Sequence, residues 1–449
     1  MKKAIHVILF LSLGCSWQAI NAQTQVVRGT VVEAESKFPV LGAVVELIGD
    51  SAKRKIQAND EGVFRFSNVG VGKRTIIIKS EGFKDVTIDV TVTSGKEVIL
   101  NAEMEESVSE LAEVEIVAVR RGELNNEMAM ASSRSFNVEE TERYAGSRGD
   151  PARMASNFAG VQGADDSRND IVVRGNSPLG VVYRLEGVDI PNPNHFAISG
   201  SMGGPVGILN NKMLSNSDFF TGAFPAEFGN STAAVFDIKF RNGNNEKHEF
   251  TGQLGFLGTE LAFEGPFSKK SRASYLGVYR YSTLDLFSAL GISIGTDAVP
   301  RYQDGAFKLT FPGKKGGSLA VYGMGGMSSI DILISNQEKP STELYGQNDR
   351  DQYFRTRMGM LGLVYNKSFN ENTFMKWTVM AAHDRQKSDH RYILRHLDAQ
   401  QNYMVDSIYT IMGNEFNTNR YCTAFSINHK FSKNHILKAG INFDLYMYN

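Results

Sequence analysis

The chain has 449 residues, more than one ordinary domain, and carries 43 Gly, 28 Phe and 16 Tyr, a mix suited to many strands and turns. Its formal net charge of −1 gives no basic bias toward nucleic acid. Mean hydropathy is −0.25, and no apolar run of transmembrane-helix length follows residue 22, so a place in a membrane requires a closed β-barrel.

Residues 1–22 read as a secretory leader. Lys2 and Lys3 precede an apolar core from Ile5 to Leu13, and Ile20-Asn21-Ala22 forms a cleavage site before Gln23. Acylation at Cys15 is the rival reading, and it fits poorly because Ser12 and Leu13 are swapped relative to the usual lipoprotein order. Cleavage leaves Cys422 as the one mature cysteine, with no internal disulfide.

Residues 23–103 read as a compact β module. Strand-like runs at 26–33, 43–48, 55–58, 63–67, 74–80, 86–92 and 97–102, separated by turn residues, predict an immunoglobulin-like β-sandwich. The stretches Gly29-Thr30-Val31-Val32, Gly42-Ala43-Val44-Val45, Asp60-Glu61-Gly62-Val63-Phe64 and Glu81-Gly82-Phe83 resemble the carboxypeptidase regulatory-like domain. Their glycines are expected in tight turns that need positive φ. The resemblance raises a zinc peptidase as a hypothesis. Of the eight histidines (6, 195, 248, 383, 390, 396, 429 and 435), none starts a His-x-x-Glu or belongs to a His-Glu-x-x-His. No Gly-x-Ser-x-Gly elbow and no phosphate-binding loop occur either, since Ser67 and Arg74 spoil the pattern around Gly72-Lys73. The reading is therefore not an enzyme, with no cofactor and no metal.

Residues 104–122 change character. An acidic run leads into Glu113, Val114, Glu115, Ile116, Val117, Ala118 and Val119, then Arg120-Arg121-Gly122. A short β-prone segment in a charged linker can add as a strand to another protein's sheet edge. Its position and composition resemble the TonB box of TonB-dependent outer-membrane transporters.

Residues 123–246 resemble the plug domain of that family. Ile171-Val172-Val173-Arg174-Gly175 matches a plug strand ending in Arg-Gly, and Tyr183-Arg184-Leu185-Glu186-Gly187-Val188-Asp189 matches the strand and turn after it. The stretch from Asp218 to Gly229, with Gly222, occupies the place of a strand–Gly–Pro–Tyr–Gly segment, and 233–241 is the last plug strand. Residues 150–160 read as a short helix, with Asp150 capping before Pro151 rather than serving an Arg-Gly-Asp receptor motif. The resemblance implies acidic partners for Arg174 on later barrel strands, beyond Asn449, leaving a buried guanidinium uncompensated. A loop at 192–205 could bring His195 and Phe196 to a ligand, although a lone histidine is no metal site.

From 247 onward, candidate strands at 248–257, 259–265, 273–281, 303–311, 318–327, 357–367, 373–384, 419–431 and 435–447 alternate short connections with long ones at 282–302, 328–352 and 385–418. Such sorting marks an outer-membrane barrel, short turns inside and long loops outside. Side chains alternate with period 2: Phe307, Leu309 and Phe311 against Ala306, Lys308 and Thr310, with Phe374 and Met380 spoiling the polar side of 373–384. A half-buried soluble sheet gives the same alternation. The loop sorting favours lipid on one face and a polar lumen on the other.

The expected fold is thus mainly β: an Ig-like β-sandwich, an α+β plug domain, then the first part of a transmembrane antiparallel β-barrel. Full barrels of this kind have about 22 strands, so an incomplete version is expected. The resemblance implies a TonB-dependent receptor that binds an external nutrient and imports it, energised by the inner-membrane TonB complex. Its setting would be outer-membrane lipid, with the N-terminal domain in the periplasm. A surface lipoprotein lid is a further partner of this class, carried by no residue here. The alternative is an outer-membrane surface binding or adhesion protein without transport.

Overall fold

The computed structural model describes residues 24–50, 53–107, 132–136, 141, 144, 146–164, 166–198, 200–255, 258–268, 271–283, 300–313, 316–340 and 347–449. The leader and the segment 113–119 lie outside the described residues. The chain divides into two compact units, 1–119 and 120–449.

The first unit contains β1 (Thr24–Glu33), β2 (Val44–Ile48), β3 (Arg54–Gln57), β4 (Val63–Gly70), β5 (Gly72–Lys79), β6 (Val86–Val92) and β7 (Val98–Met104). One sheet runs β4-β1-β7 and the other β3-β2-β5-β6. β1 is antiparallel to β4 and parallel to β7. Val27, Val31, Val45, Leu47, Ile76 and Ile78, spaced two or four apart on their strands, fill the core between the sheets. Inside the module, Arg28 and Glu97 form a buried ion pair at 3.0 Å. Gly62 lies in a turn at φ 71°, and a Cβ there would also strike the Val31 carbonyl oxygen. Gly29 departs from the turn expectation. It lies within β1, where a Cβ would collide with the Leu100 carbonyl oxygen and the Phe64 ring, so close packing demands glycine.

The second unit begins with β8 (Ser133–Phe136), α1 (Pro151–Ala155), β9 (Val161–Gly163), β10 (Ile171–Val173), β11 (Val181–Leu185), β12 (Val188–Asp189), β13 (Asn194–His195), β14 (Val206–Gly207), β15 (Ser217–Phe220) and β16 (Ala234–Ile238). The central sheet of this part has the order β12-β11-β16-β15-β8. Asp150 caps α1: its carboxylate accepts from the amides of Ala152 at 2.8 Å and Arg153 at 3.2 Å, and Pro151 opens the helix. The helix is shorter than the 150–160 span expected from sequence.

The wall comprises β17 (Glu249–Leu254), β18 (Thr259–Pro266), β19 (Ser274–Tyr281), β20 (Arg301–Pro312), β21 (Gly317–Ile332), β22 (Arg350–Asn370), β23 (Thr373–Leu397), β24 (Tyr403–Ser432) and β25 (His435–Tyr448). All nine pair antiparallel in sequence order as one sheet, open between β17 and β25 among the described residues. Strand positions match the alternation, but lengths do not. The expected loop 385–418 is mostly strand, because β23 and β24 continue as a hairpin and stay paired to Leu397 and Tyr403. β21 and β22 likewise run on into the expected loop 328–352.

The wall's outer face carries exposed Phe307, Leu361, Leu363, Trp377, Val379 and Phe425. The inner face is less polar than expected. Ala306, Tyr322, Met360, Val364, Met380 and Ala382 pack into one core with Val181, Tyr183, Leu185, Phe219 and Phe236 of residues 132–246. Met380, which breaks the polar alternation, is therefore buried against the inner domain, where an apolar side chain is favoured.

Candidate functional site

Sequence dictates the site through one rule. A charged residue at an inward strand position must meet a partner across the core or remain costly. Lys308 sits between outward Phe307 and Leu309 on β20, and its Nζ donates to Glu186 Oε1 at 2.8 Å and to the Phe240 carbonyl at 2.6 Å. Lys376 of β23 stands 3.7 Å from Glu186 Oε2. Glu186 occupies the tight β11–β12 turn at φ 52°, followed by Gly187 at φ 91°. Its carboxylate also accepts the Phe240 amide at 3.1 Å, and its carbonyl accepts from Thr378 Oγ1 at 2.9 Å. Burial alone would raise the Glu186 carboxyl. The two lysines and the hydrogen bonds prevail and hold it at about 2.

Nearby contacts repeat the polarity. Asp189 lies 3.6 Å from Arg420 Nη2, which also reaches Asp444 at 2.9 Å. Lys438 of β25 donates to Glu227 at 2.6 Å. At Glu260 and Glu264 of β18 and Asp304 of β20 the signs reverse, and the wall supplies the acid. Lys212 and Asn210 meet Glu260, Arg241 meets Glu264 through two bonds of 2.7 and 2.8 Å, and His195 meets Asp304. The inner domain is thus keyed to one rotational setting by complementary charge.

Asp304 accepts His195 Nε2 at 2.8 Å and Arg280 Nε and Nη2 at 2.9 and 2.7 Å. The His195 ring packs on Tyr302 with centroids 4.7 Å apart. Burial lowers the His195 pKa, although the Asp304 hydrogen bond opposes it. The neutral ring gives its Nε2 hydrogen to Asp304, so Nδ1 is a bare acceptor, and it is buried with no partner. The Phe196 amide donates to Ser328 Oγ at 2.9 Å, and its ring packs beside Ile330, Ile332 and Phe354. His195 and Phe196 are therefore seated against the wall rather than projecting from the loop as expected.

Arg174 also differs from expectation. It is exposed, at φ 51° with Gly175 at φ 80°, and its Nη2 donates to Ser132 Oγ at 2.6 Å and Thr221 Oγ1 at 3.3 Å. No buried guanidinium results. A Cβ on Gly222 would lie 3.1 Å from Arg174 Nη1, so glycine leaves room for that side chain, whereas Gly229 faces open space. Residues 113–119 fall outside the described residues and contribute no geometry. Wall partners such as Asp304, Glu260, Glu264 and Lys376 were missed by sequence reasoning. Their signal was a charge on an inward strand position, readable only once strand phase is fixed.

A model of the carboxypeptidase regulatory-like domain matches residues 26–105. The TonB-dependent transporter Oar of Myxococcus xanthus is 22% identical over 235 residues, covering 51% of this chain and 22% of that protein. The chain is similar to TonB-dependent receptors. Among solved structures, the ferric-catecholate import receptor Fiu from E. coli K12 in its open form aligns at TM-score 0.47 and 12% identity, covering 70% of this chain and 48% of that one. The siderophore receptor PirA from Acinetobacter baumannii aligns at TM-score 0.38 and 12% identity, covering 71% and 57%. The chain spans about half the length of these receptors and about a fifth of the curated relative.

Proposed function

We propose that this chain forms the gate and part of the wall of a TonB-dependent outer-membrane receptor that takes up an external nutrient. The observation that carries the reading is the two-faced wall. Its outer side is apolar and exposed at Leu361, Leu363 and Phe425, while its inner side holds a separate domain by buried ion pairs. That contrast suits lipid outside and a plug within.

Under this reading residues 1–22 direct export and 23–103 lie in the periplasm as an accessory module. Within 104–122, the segment 113–119 is the handle for TonB, residues 123–246 are the plug, and 247–449 belong to the barrel. No phosphate-binding loop is present, so work on the plug arrives mechanically through the handle. A pull must part Glu186 from Lys308 and Lys376, and Asp189 from Arg420, before the plug can shift. The loop around His195 lies toward the end of the long hairpins, away from the short turns, which suits the external mouth.

Deleting residues 113–119 in the producing cell tests the proposal. Uptake should be lost while ligand binding and outer-membrane residence persist. A deletion mutant that keeps full activity would favour the surface-adhesion alternative, which needs no handle.

A further inference from the structure

Asp384 is the twelfth residue of β23. At about 3.3 Å per residue and about 45° tilt it stands about 25 Å above the short-turn end, near the outer limit of an apolar band. The β23–β24 hairpin continues above it to Leu397 and Tyr403. Residues paired across strands share a face, and the register carries the inner face of Met380 and Ala382 upward. Gln386 pairs with Phe416, Ser388 with Asn414 and, past a bulge at Ile411, Tyr392 with Tyr409. Charge sorts to the opposite face, where Arg385 and Lys387 meet Glu415.

The inner face of this upper hairpin is aromatic and carries no free cation. Tyr392 and Tyr409 stack with ring centroids 6.4 Å apart and planes 19° from parallel. Tyr409 is 51% exposed and Phe416 50%. The step from the Gln386–Phe416 pair to the Tyr392–Tyr409 pair is six residues of β23, so the rings at the two ends lie about 20 Å apart. Over that distance Gln386, Ser388 and Asn414 are at least partly exposed, and their side chains make no hydrogen bond among the described residues. Between Asp384 and Tyr392, the one inner arginine or lysine of β22–β24 is Arg350, and Asp349 holds it through bonds of 2.7 and 2.9 Å. Burial lowers the pKa of His390 and keeps that ring neutral.

We propose that the inner face of the upper β23–β24 hairpin binds an uncharged oligosaccharide, its sugar rings stacked on Tyr392, Tyr409 and Phe416 and its hydroxyls bonded to Gln386, Ser388 and Asn414. A sugar ring has an apolar C–H face and a rim of hydroxyls that both donate and accept. Flat aromatic rings suit the face. A hydroxyl and two carboxamides, which also donate and accept, suit the rim. An anionic solute finds no free cation here and meets the Asp384 carboxylate at the base of the stripe. A polycation finds only that single unpaired acid. Resting on the receptor reading, this assignment gives the imported nutrient its chemical class.

Titration calorimetry on the full chain in a zwitterionic, sugar-free detergent supplies the test. The probes are maltohexaose, cellohexaose and mannohexaose, with hexagalacturonate as the anionic counterpart. At least one neutral probe should bind, at least about ten-fold more tightly than hexagalacturonate. Phe416→Ala and Tyr409→Ala should each weaken that binding about three- to ten-fold, whereas Phe416→Trp should retain it. Asn414→Lys, at an exposed position, should narrow the preference against hexagalacturonate by about ten-fold. Binding of no neutral probe, a preference for hexagalacturonate, or indifference to both alanine substitutions overturns the site. Because Phe416→Trp predicts retention and Asn414→Lys a gain, a misfolded alanine variant does not protect the idea. Membrane fractionation separates the two levels: a chain in the outer membrane that ignores neutral sugars loses only this site, whereas one absent from the membrane loses the receptor reading.

Discussion

Glu186 and Lys308, 122 residues apart in sequence, meet at 2.8 Å with both side chains almost entirely removed from solvent. One belongs to a turn of the inner sheet and the other to the wall, so the contact couples two structures that share no backbone hydrogen-bond ladder. Removing one partner leaves the other buried without compensation. Glu186→Ala should therefore destabilise the second unit by about 3–5 kcal/mol. Glu186→Gln, which keeps shape and one hydrogen bond, should cost less. Urea titration followed by Trp377 fluorescence, on the β23 strand that carries Lys376, gives the comparison. Equal losses for the two substitutions would contradict a role of charge.

The same carboxylate sets a pH dependence. Its folded pKa of about 2 lies below an unfolded value of about 4.3, so its stabilisation is complete above the unfolded value. As pH falls from about 4.5 toward 2, that contribution, on the order of 3 kcal/mol, is lost. Hydrogen exchange at the β11 and β12 amides should accelerate over this window in the parent chain. In Glu186→Gln the acceleration should be absent.

Asp304 holds two cationic or potentially cationic groups at once. Replacing it by Asn keeps the size but removes the charge that compensates Arg280 and fixes the His195 tautomer. A loss of about 3 kcal/mol is expected, together with release of the 192–205 loop. Protease sensitivity of that loop reports the second effect, and unchanged resistance would argue that the Tyr302 stacking alone suffices.

The outer face of β22 provides a test of its solvent. If Leu361 faces hydrocarbon, Leu361→Arg should cost about 2–4 kcal/mol and lower the yield of membrane-inserted chain. In water the same exposed position would tolerate arginine within about 0.5 kcal/mol. Chemical denaturation in micelles, alongside fractionation, distinguishes the cases.

Two glycines of the first unit separate conformational strain from collision. Gly42 at φ 67° has open space around it, so Gly42→Ala should cost only the left-handed penalty of about 1 kcal/mol. Gly62→Ala meets the Val31 carbonyl as well and should cost at least about 2 kcal/mol. Pulse proteolysis of the full chain, read on fragments from residues 24–107, measures the difference.

Much of this architecture was legible because period-2 alternation is imposed by covalent geometry. The seven strands of the first unit and the phase of the wall strands, such as Phe307 out and Lys308 in, follow directly from it. Strand length was not legible beyond Asp384 and before Asn419. There the polar runs read as loop, while cross-strand pairing of β23 with β24 holds them extended. The role of Gly29 was also hidden, since a turn glycine and a packing glycine look alike until Phe64 is placed across the core. His195 was expected in a projecting loop, whereas the structure buries it. Its burial depends on Asp304, 109 positions away, which no local pattern reveals.

β23 runs for 25 residues and β24 for 30. At about 3.3 Å per residue and about 45° tilt, such strands stand about 58 and about 70 Å tall, at least roughly twice the height of the hydrocarbon layer. Within a receptor, the surplus would rise as a stiff palisade above the cell surface, braced by its own ladder of hydrogen bonds. A solute arriving from the medium would then descend a narrow vestibule instead of meeting floppy flaps, so that bulky macromolecules are sieved out before any chemistry is read.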